Sequence, residues 1–204
     1  MVFALNIYYT KVEDDHRKGV ENMIVYKSIE MLENLSENDL KHFASLFSNK
    51  QSFIEKNGKP FLCIQYNPDT YYLNQKEISI AFEEGKFQPL VVTNYKFLAL
   101  LLWTSKKSEF VFTDFSFKED GEEAESEKTT VQDMISEGDD VKTVSDFLKD
   151  NSQKIQYIEL CMVNQKNKIR IFSNGNIALS NSFDKAMYSL VTDIVEFLFT
   201  GNVS

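Results

Sequence analysis

Glycine and proline are scarce in this 204-residue chain, at 7 and 3 residues, and it has two cysteines and two histidines. So few turn formers exclude collagen-like, mucin-like and other low-complexity classes and favour long regular elements. Two cysteines cannot build a disulfide framework. Cys63 and Cys161 sit inside the apolar runs Phe61-Leu62-Cys63-Ile64 and Leu160-Cys161-Met162-Val163, where a free thiol behaves as a small hydrophobe. A cysteine nucleophile would need His16 or His42 as its base, and neither has signature residues around it. No paired Cys or His spacing suits structural zinc. The scattered glycines write neither a dinucleotide fingerprint nor a P-loop, and nucleophile-elbow and kinase signatures are missing too. The expectation is no catalytic residue, no cofactor and no metal.

Long hydrophobic runs are also lacking. Phe97 to Trp103 is the longest and is far too short to cross a bilayer. The apolar N-terminus has neither the basic flank nor the small-residue cleavage site of a signal peptide. A cytoplasmic or nuclear protein away from membranes is expected.

What the chain does have is a 43% hydrophobic content with 17 Phe, enough for a proper core. Its acidity is local. Ten acidic residues and one lysine lie between Glu119 and Asp140, accounting for the whole formal charge of −9 and leaving the rest neutral. Such a stretch predicts a mobile, solvated insertion over 118–142, because its charges repel and its few apolar groups cannot offset the entropy of ordering. Ser136-Glu137-Gly138-Asp139 within it has the form of an acid-directed phosphorylation site at Ser136.

The pattern along the chain predicts a strand over 2–9, a helix from Asp14 to about Asn34, and a second helix opened by Ser36 with Leu40, Phe43, Ala44 and Phe47 on one face. Asn57-Gly58 between apolar runs predicts a hairpin from 52–56 to 61–66. A further strand pair is expected at 78–82 and 89–93, and Tyr95 to Trp103 suits helix or strand. Glu109 to Phe117 reads as a strand. After the acidic stretch come a short helix at 144–148, strands at 155–163, 168–172 and 177–179, and a long helix from Ser182 ending at Gly201. The fold class is α+β, an antiparallel sheet with helices packed on one face. The order of elements also fits two similar strand-helix-strands-helix lobes: an N-terminal lobe over 1–117, the acidic segment, and a meander plus helix over 143–204 that completes a second lobe with 105–117.

Ile169-Arg170-Ile171-Phe172-Ser173-Asn174-Gly175-Asn176-Ile177 resembles a hairpin of the TATA-box-binding protein family, and a long helix follows where that family has one. The resemblance covers mainly residues 155–199. It implies that Phe172 wedges into a DNA minor groove, with Arg170, Lys168 and Lys166 on the phosphates. The residues themselves also allow Phe172 to alternate inward under the last helix, with the lysines solvating a turn. A neutral body with one acidic segment argues against generic DNA binding. The expectation is therefore a non-catalytic protein-interaction or regulatory subunit of an intracellular complex, its partner another protein. A TATA-binding-protein-like transcription subunit is the alternative and a small-molecule enzyme the third reading.

Overall fold

A computed structural model describes residues 23–33, 35–50, 53–55, 60–107, 109–119, 121–151, 153–163, 167–180 and 188–201. Its elements run β1 (Met23–Met31), α1 (Glu37–Ser45), β2 (Phe53–Glu55), β3 (Phe61–Gln65), α2 (Pro68–Leu73), α3 (Gln75–Glu83), β4 (Phe87–Pro89) and α4 (Asn94–Ser105). Then come β5 (Phe110–Phe117), α5 (Glu122–Glu137), α6 (Val141–Asp150), β6 (Ile155–Met162), β7 (Lys168–Phe172), β8 (Asn176–Ser180) and α7 (Tyr188–Thr200). The strands form one antiparallel sheet in the order β2-β3-β1-β8-β7-β6-β5, with β4 added on β1. This is an α+β architecture. The two halves of the chain meet at the β1–β8 pair. In the first half β1 pairs the second strand of the following hairpin, whereas in the second half β5 pairs β6, the first strand of its meander.

Residues 23–31 depart from the helix expected there. Met23, Ile24 and Met31 fit a helical period, but Tyr26 and Ser28 are buried on one side and Ile29 on the other, as a central strand requires. β1 bonds to β3 on one edge and to β8 and then β4 on the other. An isolated amphipathic helix could not bury both sides in this way. The stretch 78–82 also differs, forming part of α3. Ile78 is buried there, with Ala81 and Phe82 beside the same apolar cluster, a 3.6-residue spacing. α1 follows its pattern: Ser36 Oγ accepts from Asp39 N–H at 3.2 Å, and Phe43, Ala44 and Phe47 are buried. Thr93 caps α4, which settles Tyr95 to Trp103 as helix. The strand at 2–9, the Asp14 cap, the Asn57-Gly58 turn and the Ser182 helix start lie outside the described residues.

Most of the acidic stretch, expected from its charge to be a solvated insertion, is helical, and its apolar residues pack inward. Ala124 and Val131 of α5 are buried in the main core, with Met134 and Ile135 packed against it, all on one helical face. Glu122, Glu123 and Glu125 occupy the first turn, where the helix dipole favours negative charge. Gly138, at φ 85°, ends the helix, and Asp140 caps α6 by accepting from Thr143 N–H at 2.9 Å. Charge hid an amphipathic helix.

Strand alternation sorts the side chains onto two faces. One face is apolar throughout, in cross-strand rows such as Tyr26-Ile177-Ile171-Ile158-Phe115, and carries α4, α6 and α7 through Phe97, Leu148, Ile194 and Leu198. On the other face, Ile29, Leu62 and Ile64 form a smaller cluster with Phe43, Phe47 and Ile78 of the α1–α3 region. Phe43 stacks on Phe87 there, rings parallel at 3.6 Å. Among the described residues that cover spans the β3–β1 end.

At the joint on β1, Ser28 N–H donates to Gly175 O and Leu90 N–H donates to Ser28 O, both at 3.0 Å. Gly175 has φ 79°, and a Cβ there would lie 2.1 Å from Leu90 O. Gly175→Ala is therefore expected to lower unfolding free energy by more than about 2 kcal/mol, combining left-handed strain with a backbone collision. In α5, Val131→Ala should cost about 1–3 kcal/mol, while Ser126→Ala on the outward side should stay within about 0.5 kcal/mol. Urea titration of the three variants checks both expectations.

Candidate functional site

Beyond the α1–α3 cover, the second sheet face is polar, and its composition follows from register. Three cross-strand rows read from β1 to β5: Lys27-Asn176-Phe172-Tyr157-Ser116, Val25-Ala178-Arg170-Glu159-Asp114 and Met23-Ser180-Lys168-Cys161-Val111. None of these residues belongs to either apolar cluster.

Glu159 is the centre of this face. Its side chain is only 6% exposed, and its carboxylate accepts from Arg170 Nη2 at 2.8 Å, from Lys168 Nζ at 3.1 Å and from Thr113 Oγ1 at 3.1 Å. Thr113 reaches it because β5 shifts register between Phe112 and Asp114, leaving Thr113 as the extra residue. Burial pushes the Glu159 carboxyl up, but the bonds from Arg170 and Lys168 outweigh burial and hold it below its ordinary value. Arg170 also lies over the Tyr157 ring, 4.7 Å from its centroid, and Tyr157 meets Phe172 at 5.6 Å with the rings tilted by 54°. Arg170 Nε and Asn176 Oδ1 are buried without a hydrogen-bond partner.

Two lysines border the face. Lys128 of α5 bonds Asp114 at 3.0 Å and sits 5.7 Å over the Phe115 ring. Asp114 and Phe115 point to opposite faces of β5, so one ammonium near both must come round the outer edge of that strand. Lys27 is half-buried beside Ile64 and Asn176 and donates to Asn174 O. Desolvation pushes its amine down to about 8.

The structure brings together Phe172, Arg170 and Lys168 of the sequence-predicted site, while Lys166 lies outside the described residues. Phe172 does not sit under α7, because its neighbour Ile171 takes that side, fully buried. Sequence reasoning missed Glu159, Tyr157, Lys27 and Asn176. The polar-apolar alternation of 157–160 was the available signal for the first two, and the helix reading concealed Lys27. Ser136 is exposed in the last turn of α5, its hydroxyl donating to Asp133 O at 2.8 Å.

Other chemistry is thin. Cys63 is fully buried against Ser28, and burial pushes its thiol up to about 12, so no thiolate forms at neutral pH. His42 faces solvent beside Glu77 at 3.3 Å. Among the described residues no group of three or more His, Cys, Asp and Glu could hold a metal, and no helix is long and apolar enough to cross a membrane.

Glu159→Gln should cost about 2 kcal/mol, less than for a wholly buried network because Lys168 and Arg170 are partly exposed. A depressed folded value means that Glu159 stabilises the fold above the unfolded carboxyl range, near 4.3, and that this contribution is lost as pH falls through the lower folded value. Thermal melts between pH 7 and pH 2 should show a smaller acid loss in the variant. Comparison of the chain with protein-family models, with curated proteins and with solved structures finds no match, so its functional reading rests on this geometry.

Proposed function

We propose that the chain is a non-catalytic protein-recognition or regulatory subunit of an intracellular complex, and that it binds its partner through the polar face of β1, β8, β7, β6 and β5. The observation that carries this reading is the contrast between the two faces of the same strands. One is apolar and covered by α4, α6 and α7; the other presents aromatic rings and cations held in place around Glu159. Rigid aromatic and arginine side chains ordered before contact lose little entropy on binding, a property of interface anchors. Lys168 and Arg170 share one carboxylate, so the face keeps only a modest positive excess, better matched to a protein surface than to a row of phosphates.

A second reading is favoured by one feature. Phe172 lies on this face with Arg170 and Lys168 beside it, as a TATA-binding-protein-like minor-groove contact requires.

Both readings are tested by purifying the tagged chain from its native cells with wild type, Phe172→Ala and the exposed control Leu73→Ala in parallel. Co-purifying protein lost with Phe172→Ala alone supports the protein reading, and unchanged recovery from all three rejects this face. An anisotropy titration with AT-rich duplex is expected to show no binding at physiological salt. Micromolar binding that Phe172→Ala or Arg170→Ala abolishes would establish the DNA reading instead.

A further inference from the structure

Lys27 stands where the apolar cover on the β3–β1 end gives way to the polar face. Its cross-strand neighbours on that side are Ile64 of β3 and Asn176 of β8, both uncharged, and its amine donates to the Asn174 carbonyl in the β7–β8 turn. Among the described residues no carboxylate pairs with it. The other cations of the face differ: Lys168 and Arg170 both pair with Glu159, and Lys128 with Asp114. Among the described residues Lys27 is thus a partly desolvated cation without a counter-charge, a costly arrangement for folding alone. Burial lowers its amine to about 8, in keeping with that cost. In the same row, two strands away, Phe172 packs on Tyr157. Strand spacing puts Lys27 about 10 Å from Phe172, the span of about three residues of extended chain.

We propose that Lys27 is the anchor for an acidic side chain of the protein partner, within a polyproline II segment whose three-residue turn brings a carboxylate and, three residues away, an apolar side chain for the Phe172–Tyr157 pair to the same side. This rests on the recognition face proposed above. Docking supplies a counter-charge that none of the described residues provides. Specificity follows from the same arrangement, since a segment without the acid leaves the ammonium desolvated and unpaired.

The test uses the full chain and a fluorescein-labelled peptide of Glu-Ser-Ser-Leu repeats, with labelled oligothymidylate of equal charge as the competing polyanion. Lys27→Met should weaken peptide binding by about tenfold, the loss of one ion pair, while Lys27→Arg retains it. The Met variant should also melt no lower than wild type, because it removes an unpaired charge. Wild-type stability should rise as pH climbs from about 8 towards 10.5, where the unfolded chain holds more protons than the folded one, and Lys27→Met should lose that rise. A melting temperature that drops with Lys27→Met, or is unchanged between pH 8 and 10, makes Lys27 a structural hydrogen-bond donor and overturns the proposal. Peptide binding that Phe172→Ala weakens but Lys27→Met does not overturns it and leaves the recognition face standing. Binding indifferent to both variants, or no binding, overturns the proposal, and indifference to both counts against the face as well. Tighter, Lys27-dependent binding of oligothymidylate overturns it in favour of nucleic acid.

Discussion

β1 has hydrogen-bonding partners along both of its edges, and the remaining architecture depends on that constraint. On one side it meets β3; on the other, β8 accompanies its first half and β4 its second. The change of neighbour comes at Ser28, whose backbone N–H and carbonyl bond to Gly175 and Leu90. A strand shared in this way joins the two halves of the chain into a single sheet. It also fixes which side chains face which way, since a slip of one residue would send Tyr26 and Ile29 to each other's side. The apolar core, the α1–α3 cluster and the polar face are three consequences of one register.

Much of the second half was readable from sequence. The strands at 155–163, 168–172 and 177–179 announce themselves by alternation and by Asn174-Gly175, and the apolar spacing of 188–200 is helical throughout. α1 was equally plain, with Ser36 at its cap. β1 was not, because a strand buried on both faces carries apolar residues in succession and matches a helical period by accident. The short α2 was hidden behind Asn67-Pro68, which reads as a strand end yet caps a helix by accepting from Thr70 N–H. α5 was hidden because Val131, Met134 and Ile135 are few among many acids. Of the polar face, Phe172, Arg170 and Lys168 were visible as a motif. Their partner Glu159 became visible only when pairing placed it opposite Arg170.

Charge is partitioned with similar economy. Almost all the net charge sits on one helix and its flanks, so the body stays neutral and the polar face arranges its ions locally. Glu159 orders two cations that would otherwise sweep through many rotamers. The low exposure of that carboxylate keeps the network tight, and its shared acceptance from Thr113 ties the bulge of β5 to β6 and β7. Breaking the network would disturb the geometry of the face before it disturbed the core.

The outer side of β5 has a different significance. Among the described residues Phe110 to Phe117 is the last strand of the sheet, eight residues with four phenylalanines and no lysine or proline, a composition on which chains polymerise where a border is open. α5 runs beside it, Lys128 reaching round to Asp114 and Phe115, and brings a row of carboxylates to that border. Like charge there works against the approach of a second copy. The charge concentrated in 119–140 thus lies beside a strand whose composition favours self-association.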